Sequence, residues 1–172
     1  MFSGKSSYLL DMINSYSVLM ENKALLIIPT SQRLFFARNR NMIESKNLDV
    51  IACDNFTDLK HIINEHIPLV CIDEAQFMSG DIASLVDHLI SKNSNIYISS
   101  LSGDYQMKQF GQVYSLIPKA DDIIFMKAWC ADCMRDGKFT KAPFTKRIVN
   151  IADQILVGDV DFYKPVCRGH ST

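Results

Sequence analysis

Short, unbroken apolar runs alternate with stretches of helical periodicity, and this alternation narrows the possible folds more than any other feature of the chain. Ala24-Leu25-Leu26-Ile27-Ile28 is closed by Pro29, and Val50-Ile51-Ala52-Cys53 follows. Pro68-Leu69-Val70-Cys71-Ile72 and Asn95–Leu101 come next. A run that is apolar on both sides reads as a strand covered on both faces, the pattern of a parallel sheet. Leu9, Leu10, Ile13, Tyr16 and Met20 instead recur at helical spacing, as do Ile82, Leu85, Val86 and Leu89. Asp54 or Asn55 can cap a further helix from about Thr57 to Glu65. Parallel strands need crossover connections, so the expectation is an α/β fold with helices on both faces of the sheet. Ile123–Met126 is expected to add a fifth strand, and Gln154–Val157 a further one.

The bulk numbers exclude several classes of function. A chain of 172 residues suffices for one α/β domain with a small appendage. Its net charge of −1 provides no basic field for nucleic acid or a membrane surface. The apolar runs are far too short to span a bilayer, and the first ten residues lack the regions of a signal peptide. A reducing, cytoplasmic compartment is therefore expected. Five cysteines, an odd count, argue against a disulfide framework. Cys53 and Cys71 lie in strand-like runs and read as core residues.

Gly4-Lys5-Ser6 opens the first helical stretch and has the form of the end of a phosphate-binding loop. Backbone N–H groups at a helix start bind phosphate oxygens, Lys5 would place a charge on the β/γ-phosphates, and the Ser6 hydroxyl would complete Mg²⁺ coordination. Three such residues also arise as a helix start followed by a surface lysine. The complete loop pattern has a glycine five residues before Gly4 and a strand before that, so a natural product starting about ten residues upstream is expected. Leu69-Val70-Cys71-Ile72-Asp73-Glu74-Ala75-Gln76-Phe77 supplies the second nucleotide motif, an apolar strand ending in two carboxylates. In an open parallel sheet, ligands bind beyond the carboxyl ends of the strands. Asp73 suits a role at Mg²⁺, and Glu74 that of a general base toward an attacking hydroxyl. The same tetrad, Asp-Glu-Ala-Gln, occurs in helicase-type ATPases, but those need a second lobe and a basic track that this chain does not encode.

Cys130-Ala131-Asp132-Cys133 and Cys167-Arg168-Gly169-His170 form a CxxC…CxxH constellation. A two-residue gap lets a tight knuckle present both ligands to one tetrahedral Zn²⁺, and four protein ligands make the ion structural. The 33 residues between the pairs are too many for a simple finger and must loop back to the same ion. Stapling both ends would let this polar loop hold a shape over a ligand. Lys138, Lys141, Lys146 and Arg147 read individually as a solvated face. The change of character sets an expected boundary between a nucleotide-binding domain, 1–128, and a zinc-bound lid, 129–172.

Taken in order, MFSGKS, IDEAQF, LSGDYQMKQFG, the CxxC, the PFTKR loop and GDVDFYKPVCRGH resemble the thymidine kinases of the cellular and poxviral type along essentially the whole chain. That resemblance implies a P-loop (RecA-like) α/β domain plus a zinc-bound lasso, usually assembled as a homotetramer. The implied reaction moves the γ-phosphate of ATP to the 5′-hydroxyl of thymidine, with deoxyuridine also admitted. Matched motif by motif, Glu74 falls on the base, Ser3, Gly4, Lys5 and Ser6 on the phosphate loop, and Asp73, Gln76 and Arg33 on nucleotide contacts. Ser31 stands where the family usually has an aspartate before that arginine. Phe77, Leu101, Tyr105 and Phe110 fall around the base, and Thr145 falls near the thymine methyl, with Thr140 as a competing register. Gln154, Ile155, Leu156, Val157, Gly158 and Tyr163 fall on the segment that grips base and sugar.

Overall fold

The computed structural model describes residues 2–20, 23–33, 47–151, 153 and 161–171. Contacts divide the chain into two compact units, one of Ser6–Ser100 with Gly111–Asp121, the other of Met1–Lys5, Leu101–Phe110 and Asp122–Thr172. The compositional break near Ala128 thus falls within the second unit, which also takes in the 101–110 loop.

In the first unit, α1 (Lys5–Met20) leads to β1 (Ala24–Ile28), β2 (Leu48–Ala52), α2 (Phe56–Ile62), β3 (Leu69–Ile72), α3 (Ile82–Ser91) and β4 (Asn95–Ile98). The strands form one parallel sheet in the order β2-β1-β3-β4. All five residues of β1 and all four of β3 are buried, because alternate side chains enter different layers. Leu25, Ile27, Val70 and Ile72 join Phe56 and Leu59 of α2 and Ile82, Leu85 and Leu89 of α3 on one face. Ala24, Leu26, Ile28, Leu69 and Cys71 meet Leu9 and Ile13 of α1 on the other. The α/β expectation is borne out, with helices on both faces. Burial pushes the Cys71 thiol up to about 12, as befits an inert core residue.

Helix starts follow their caps. Asn55 accepts the Thr57 N–H at 2.8 Å, and Asp81 accepts the Ser84 N–H at 3.0 Å. Register then sets where the loops emerge: Ile27 pairs with Ile72, Ile72 with Ile98, and Ile28 with Ala52. Pro29, Cys53, Asp73 and Ser99 therefore leave the sheet together at its carboxyl edge.

The second unit holds two antiparallel pairs, β5 (Ala128–Trp129) with β6 (Lys141–Ala142) and β7 (Phe144–Arg147) with β8 (Tyr163–Val166). A short helix, α4 (Ala131–Arg135), follows β5. The strand expected at Ile123–Met126 does not form. Those residues are irregular, and Ile124 and Phe125 are 63% and 73% exposed. Strand propensity needs a partner strand to act on, and no described strand pairs with this segment. The strand expected at Gln154–Val157 lies outside the described residues. Among those described, no helix is long and apolar enough to cross a membrane.

Leu85 is fully buried between α3 and the sheet. Leu85→Ala should lower the unfolding free energy by about 2–5 kcal/mol, read as a lower urea midpoint at unchanged slope. A loss well below that range would mean the α3 face is not packed as described.

Candidate active site and metal centre

Asp73 and Glu74 follow β3 directly. The Asp73 N–H donates to the Ile27 carbonyl at 2.9 Å and the Ala75 N–H to the Ser99 carbonyl at 3.0 Å, so backbone bonds pin the turn from both sides. Between these anchors Glu74 adopts the left-handed conformation, with φ of 52° and ψ of 41°, and begins the 3₁₀ turn Ala75–Phe77. A non-glycine residue held there costs of order 1–3 kcal/mol, and such residues cluster at functional sites. The Asp73 carboxylate accepts the Glu74 N–H at 3.0 Å and the Ser99 hydroxyl. Gln76, buried at 3% exposure, donates through Nε2 to the Glu74 carboxylate and accepts the Ser100 hydroxyl at 3.1 Å. The Glu74 carboxylate is thus held from one side while remaining half-buried. Gly111 makes this possible. A Cβ there would stand 2.7 Å from the Gln76 Cα, and its φ of +69° favours glycine. Phe77 ends the same turn, half-buried.

Ser3 and Gly4 form the turn before α1, Gly4 at φ +83°, and Lys5 and Ser6 are the first helical residues. The first-turn N–H groups of a helix have no partner within it and carry its positive end, the property a phosphate loop needs. Arg33 is exposed, directly after the turn Thr30–Gln32. Asp54 fixes that turn by accepting the Thr30 N–H at 2.8 Å.

Leu101, Tyr105, Phe110, Thr145 and Tyr163 all belong to the second unit. Asp104 shapes the loop carrying Tyr105: it is buried, and its carboxylate accepts the N–H groups of Gln106 at 2.8 Å and Lys108 at 2.9 Å. Phe110 and Tyr163 are buried, and Leu101, Tyr105 and Thr145 half-buried. Thr145 sits on β7 opposite Pro165 of β8. Thr140 lies elsewhere. Its carbonyl accepts the Cys130 N–H at 2.8 Å, and its hydroxyl meets the Cys133 sulfur. Gln154, Ile155, Leu156, Val157 and Gly158 lie outside the described residues.

The four metal-ligand candidates come together, all their ligand atoms within 4.8 Å of one another. The Cys133 and Cys167 sulfurs are 3.8 Å apart, and His170 Nδ1 is 3.5, 3.6 and 3.4 Å from the sulfurs of Cys130, Cys133 and Cys167. A tetrahedral zinc with ordinary bond lengths would space two sulfurs by about 3.8 Å and sulfur from nitrogen by about 3.6 Å. The residues therefore fit a zinc ion. α4 and the 3₁₀ turn Arg168–His170 supply the two knuckles, and Lys164 of β8 binds Asp132 of α4 at 2.8 Å, tying one to the other. Burial opposes ionisation of Cys130, but the N–H groups of Cys133 and Cys167 and the nearby His170 and Cys133 side chains bring its thiol down to about 6.

The thymidine kinase family model matches residues 1–171. The chain belongs to the thymidine kinase family. Membership makes it an ATP-dependent kinase. It is 34% identical to the thymidine kinase of Mycoplasma mobile over 169 residues, covering 98% of this chain and 81% of that one. It is 30% identical to thymidine kinase 1 of Dictyostelium discoideum over 174 residues, covering 98% and 73%. It is 27% identical to the cytosolic thymidine kinase of Bos taurus over 173 residues, covering 98% and 67%.

Sequence reasoning passed over Ser99, Ser100 and Asp104, although small polar residues at the end of a buried strand were a signal for the first two. It also placed Arg147 on a solvated face, whereas Arg147 is 9% exposed and its guanidinium is hydrogen-bonded within the second unit.

Without metal the Cys130 thiol is lowered while the Cys133 thiol, despite the Thr140 hydrogen bond, is raised by burial and the neighbouring Cys130 and Cys167 sulfurs, so protons compete with a metal through the neutral range and below it. Zinc affinity should accordingly weaken as pH falls through about 6, and Cys167→Ser should weaken it at every pH. Metal content by mass spectrometry across a pH series checks both. Equal zinc dissociation constants at pH 5 and 8, read by chelator competition, would overturn thiolate coordination by these cysteines.

Proposed function

We propose that the chain transfers the γ-phosphate of ATP to the 5′-hydroxyl of thymidine, and more weakly of deoxyuridine, with Glu74 as general base. One observation carries the reading. Glu74 stands at the carboxyl edge of a parallel sheet in a strained conformation, its carboxylate fixed by Gln76 beside the separately bonded Asp73. A base must be held still and aimed, and this arrangement does both. The sugar hydroxyl gives its proton to the Glu74 carboxylate as its oxygen bonds to the γ-phosphorus. The bond from that phosphorus to the bridging oxygen breaks, and ADP leaves.

Ser3, Gly4, Lys5 and Ser6 bind the phosphates at the start of α1, with Arg33 and Gln76 as further nucleotide contacts. Ser6 and Asp73 are the residues that would hold the Mg²⁺ accompanying ATP, whose charge offsets that of the phosphates. Phe77, Leu101, Tyr105, Phe110, Tyr163 and the 154–158 segment grip the nucleoside. Thr145 is assigned to the thymine methyl in preference to Thr140, which is engaged at the metal knuckle. Residues 129–172 form the lid, with structural zinc on Cys130, Cys133, Cys167 and His170. A homotetramer working in the cytoplasm completes the reading. A methyl pocket discriminates by ~1–3 kcal/mol, or roughly 10–200-fold, so deoxyuridine should be a poorer substrate but still a substrate.

Glu74→Gln keeps the size of the side chain and removes the base. Its kcat for thymidine should fall roughly 10²–10⁴-fold, with thymidine KM little changed. Coupled measurement of ADP and thymidine monophosphate checks this, and near-normal turnover would remove Glu74 from the base role.

A further inference from the structure

The charged side chain of Arg147 is almost fully enclosed, with 9% of the residue exposed. Its NH1 group donates to the Ile151 carbonyl at 2.7 Å and to the Asp153 carbonyl, and NH2 donates to the Tyr163 hydroxyl at 2.7 Å. The guanidinium also lies 3.8 Å from the centre of the Tyr105 ring and 5.2 Å from that of Tyr163. A single planar cation therefore fixes three separate stretches of the second unit: the 101–110 loop, the start of β8, and the backbone immediately before residue 154. The proposed function assigns Tyr105 and Tyr163 to the nucleoside, and Ile151 and Asp153 directly precede the 154–158 segment it also assigns.

We infer that Arg147 is a positioning residue for nucleoside binding, acting by setting the ring of Tyr105, the hydroxyl of Tyr163 and the backbone leading into 154–158. The inference rests on the nucleoside-gripping reading of those residues.

The chemistry favours arginine specifically. Carbonyls at 151 and 153 and a phenol at 163 lie in different directions, and a guanidinium has donors spread in a plane to meet them. The same plane can stack on an aromatic face, which fixes a ring that would otherwise rotate. Lysine carries the charge but has neither the fork nor the flat face. Ordering the pocket before the nucleoside arrives removes an entropic penalty from binding, so loss of the order appears in affinity. Because Arg147 is not assigned to the reacting atoms, the loss should fall on KM and spare the chemical step.

The test compares full-length wild type with Arg147→Met, Arg147→Lys and Tyr163→Phe, measuring kcat, KM for thymidine, KM for ATP and bound zinc. Both Arg147 variants should raise thymidine KM by about 10–100-fold, the scale for losing several charge-assisted hydrogen bonds. ATP KM and zinc content should stay at wild-type values, which a general collapse of the unit would not allow. Tyr163→Phe removes one acceptor without opening a cavity and should raise thymidine KM by a smaller factor, about 3–10-fold. Arg147→Lys, which keeps the charge and most of the side-chain volume, supplies the answer if Arg147→Met is not recovered folded. Wild-type thymidine KM in the folded variants would overturn the inference. So would its restoration by lysine, or a parallel loss of ATP affinity and zinc. A wild-type protein that does not phosphorylate thymidine would instead sink the proposed function, so the two failures are distinct.

Discussion

The chemistry of the sheet unit depends on one constraint, the level register of β3 between β1 and β4. Because Ile72 is paired on both sides, the next residues have no freedom to drift: the Asp73 N–H is taken by Ile27 and the Ser99 N–H by Ile72. The chain must then turn at once, and Glu74 absorbs the turn in a conformation that an isolated peptide would rarely hold. The penalty is a small fraction of what the buried faces of β1 and β3 contribute, since each fully buried aliphatic side chain stabilises by about 1.5–3 kcal/mol. Packing of the sheet is therefore what holds Glu74 in that conformation. Gln76 and Gly111 complete the mount, one holding the Glu74 oxygen and the other leaving room for it to do so.

The second unit is held by different means. Among the described residues, the apolar cluster around its knuckles is small: Ala128, Ala142 and Val166 surround Cys130 and Cys133, with Phe144 and Cys167 alongside. So few side chains cannot order several short strands by burial alone. Coordination of a metal by Cys130, Cys133, Cys167 and His170 would do so, because an ion held there would tie residues 130–133 to 167–170 and lower the entropy of the chain between them. The Asp132–Lys164 pair and the β7–β8 pairing act within that closed loop.

How much of this was legible in the sequence follows from how local each signal is. The runs at 24–28 and 69–72 announce themselves because both faces are apolar, and the knuckles because two ligands at fixed spacing recur twice. Asp73 and Glu74 are legible because a strand that ends in carboxylates is short-range information. Ile123–Met126 misled because its apolar character says nothing about whether a partner strand is available. Thr140 and Thr145 could not be separated by counting residues, since both lie a few positions from the same knuckle. The structure places Thr140 at the metal knuckle, its carbonyl accepting the Cys130 N–H, and Thr145 on β7 opposite Pro165. Arg147 was invisible for a related reason: its partners at 105, 151, 153 and 163 are spread across the chain, and next to Lys146 it has the look of a surface charge.

These two kinds of rigidity answer to different conditions. Apolar burial in the sheet unit is indifferent to chelators and nearly so to mild acid. A metal held by the Cys130, Cys133, Cys167 and His170 cluster would respond to both, and charged hydrogen bonds to acid. The order of one unit is thus built into its apolar core, and that of the other is conditional. The conditional part holds the residues assigned to the base and sugar, so substrate affinity is the quantity that metal supply or acidification would change first. The carboxylate at 74 is mounted on the sheet by other means, through the Asp73 carboxylate, the Gln76 amide and the backbone bonds of Asp73 and Ala75.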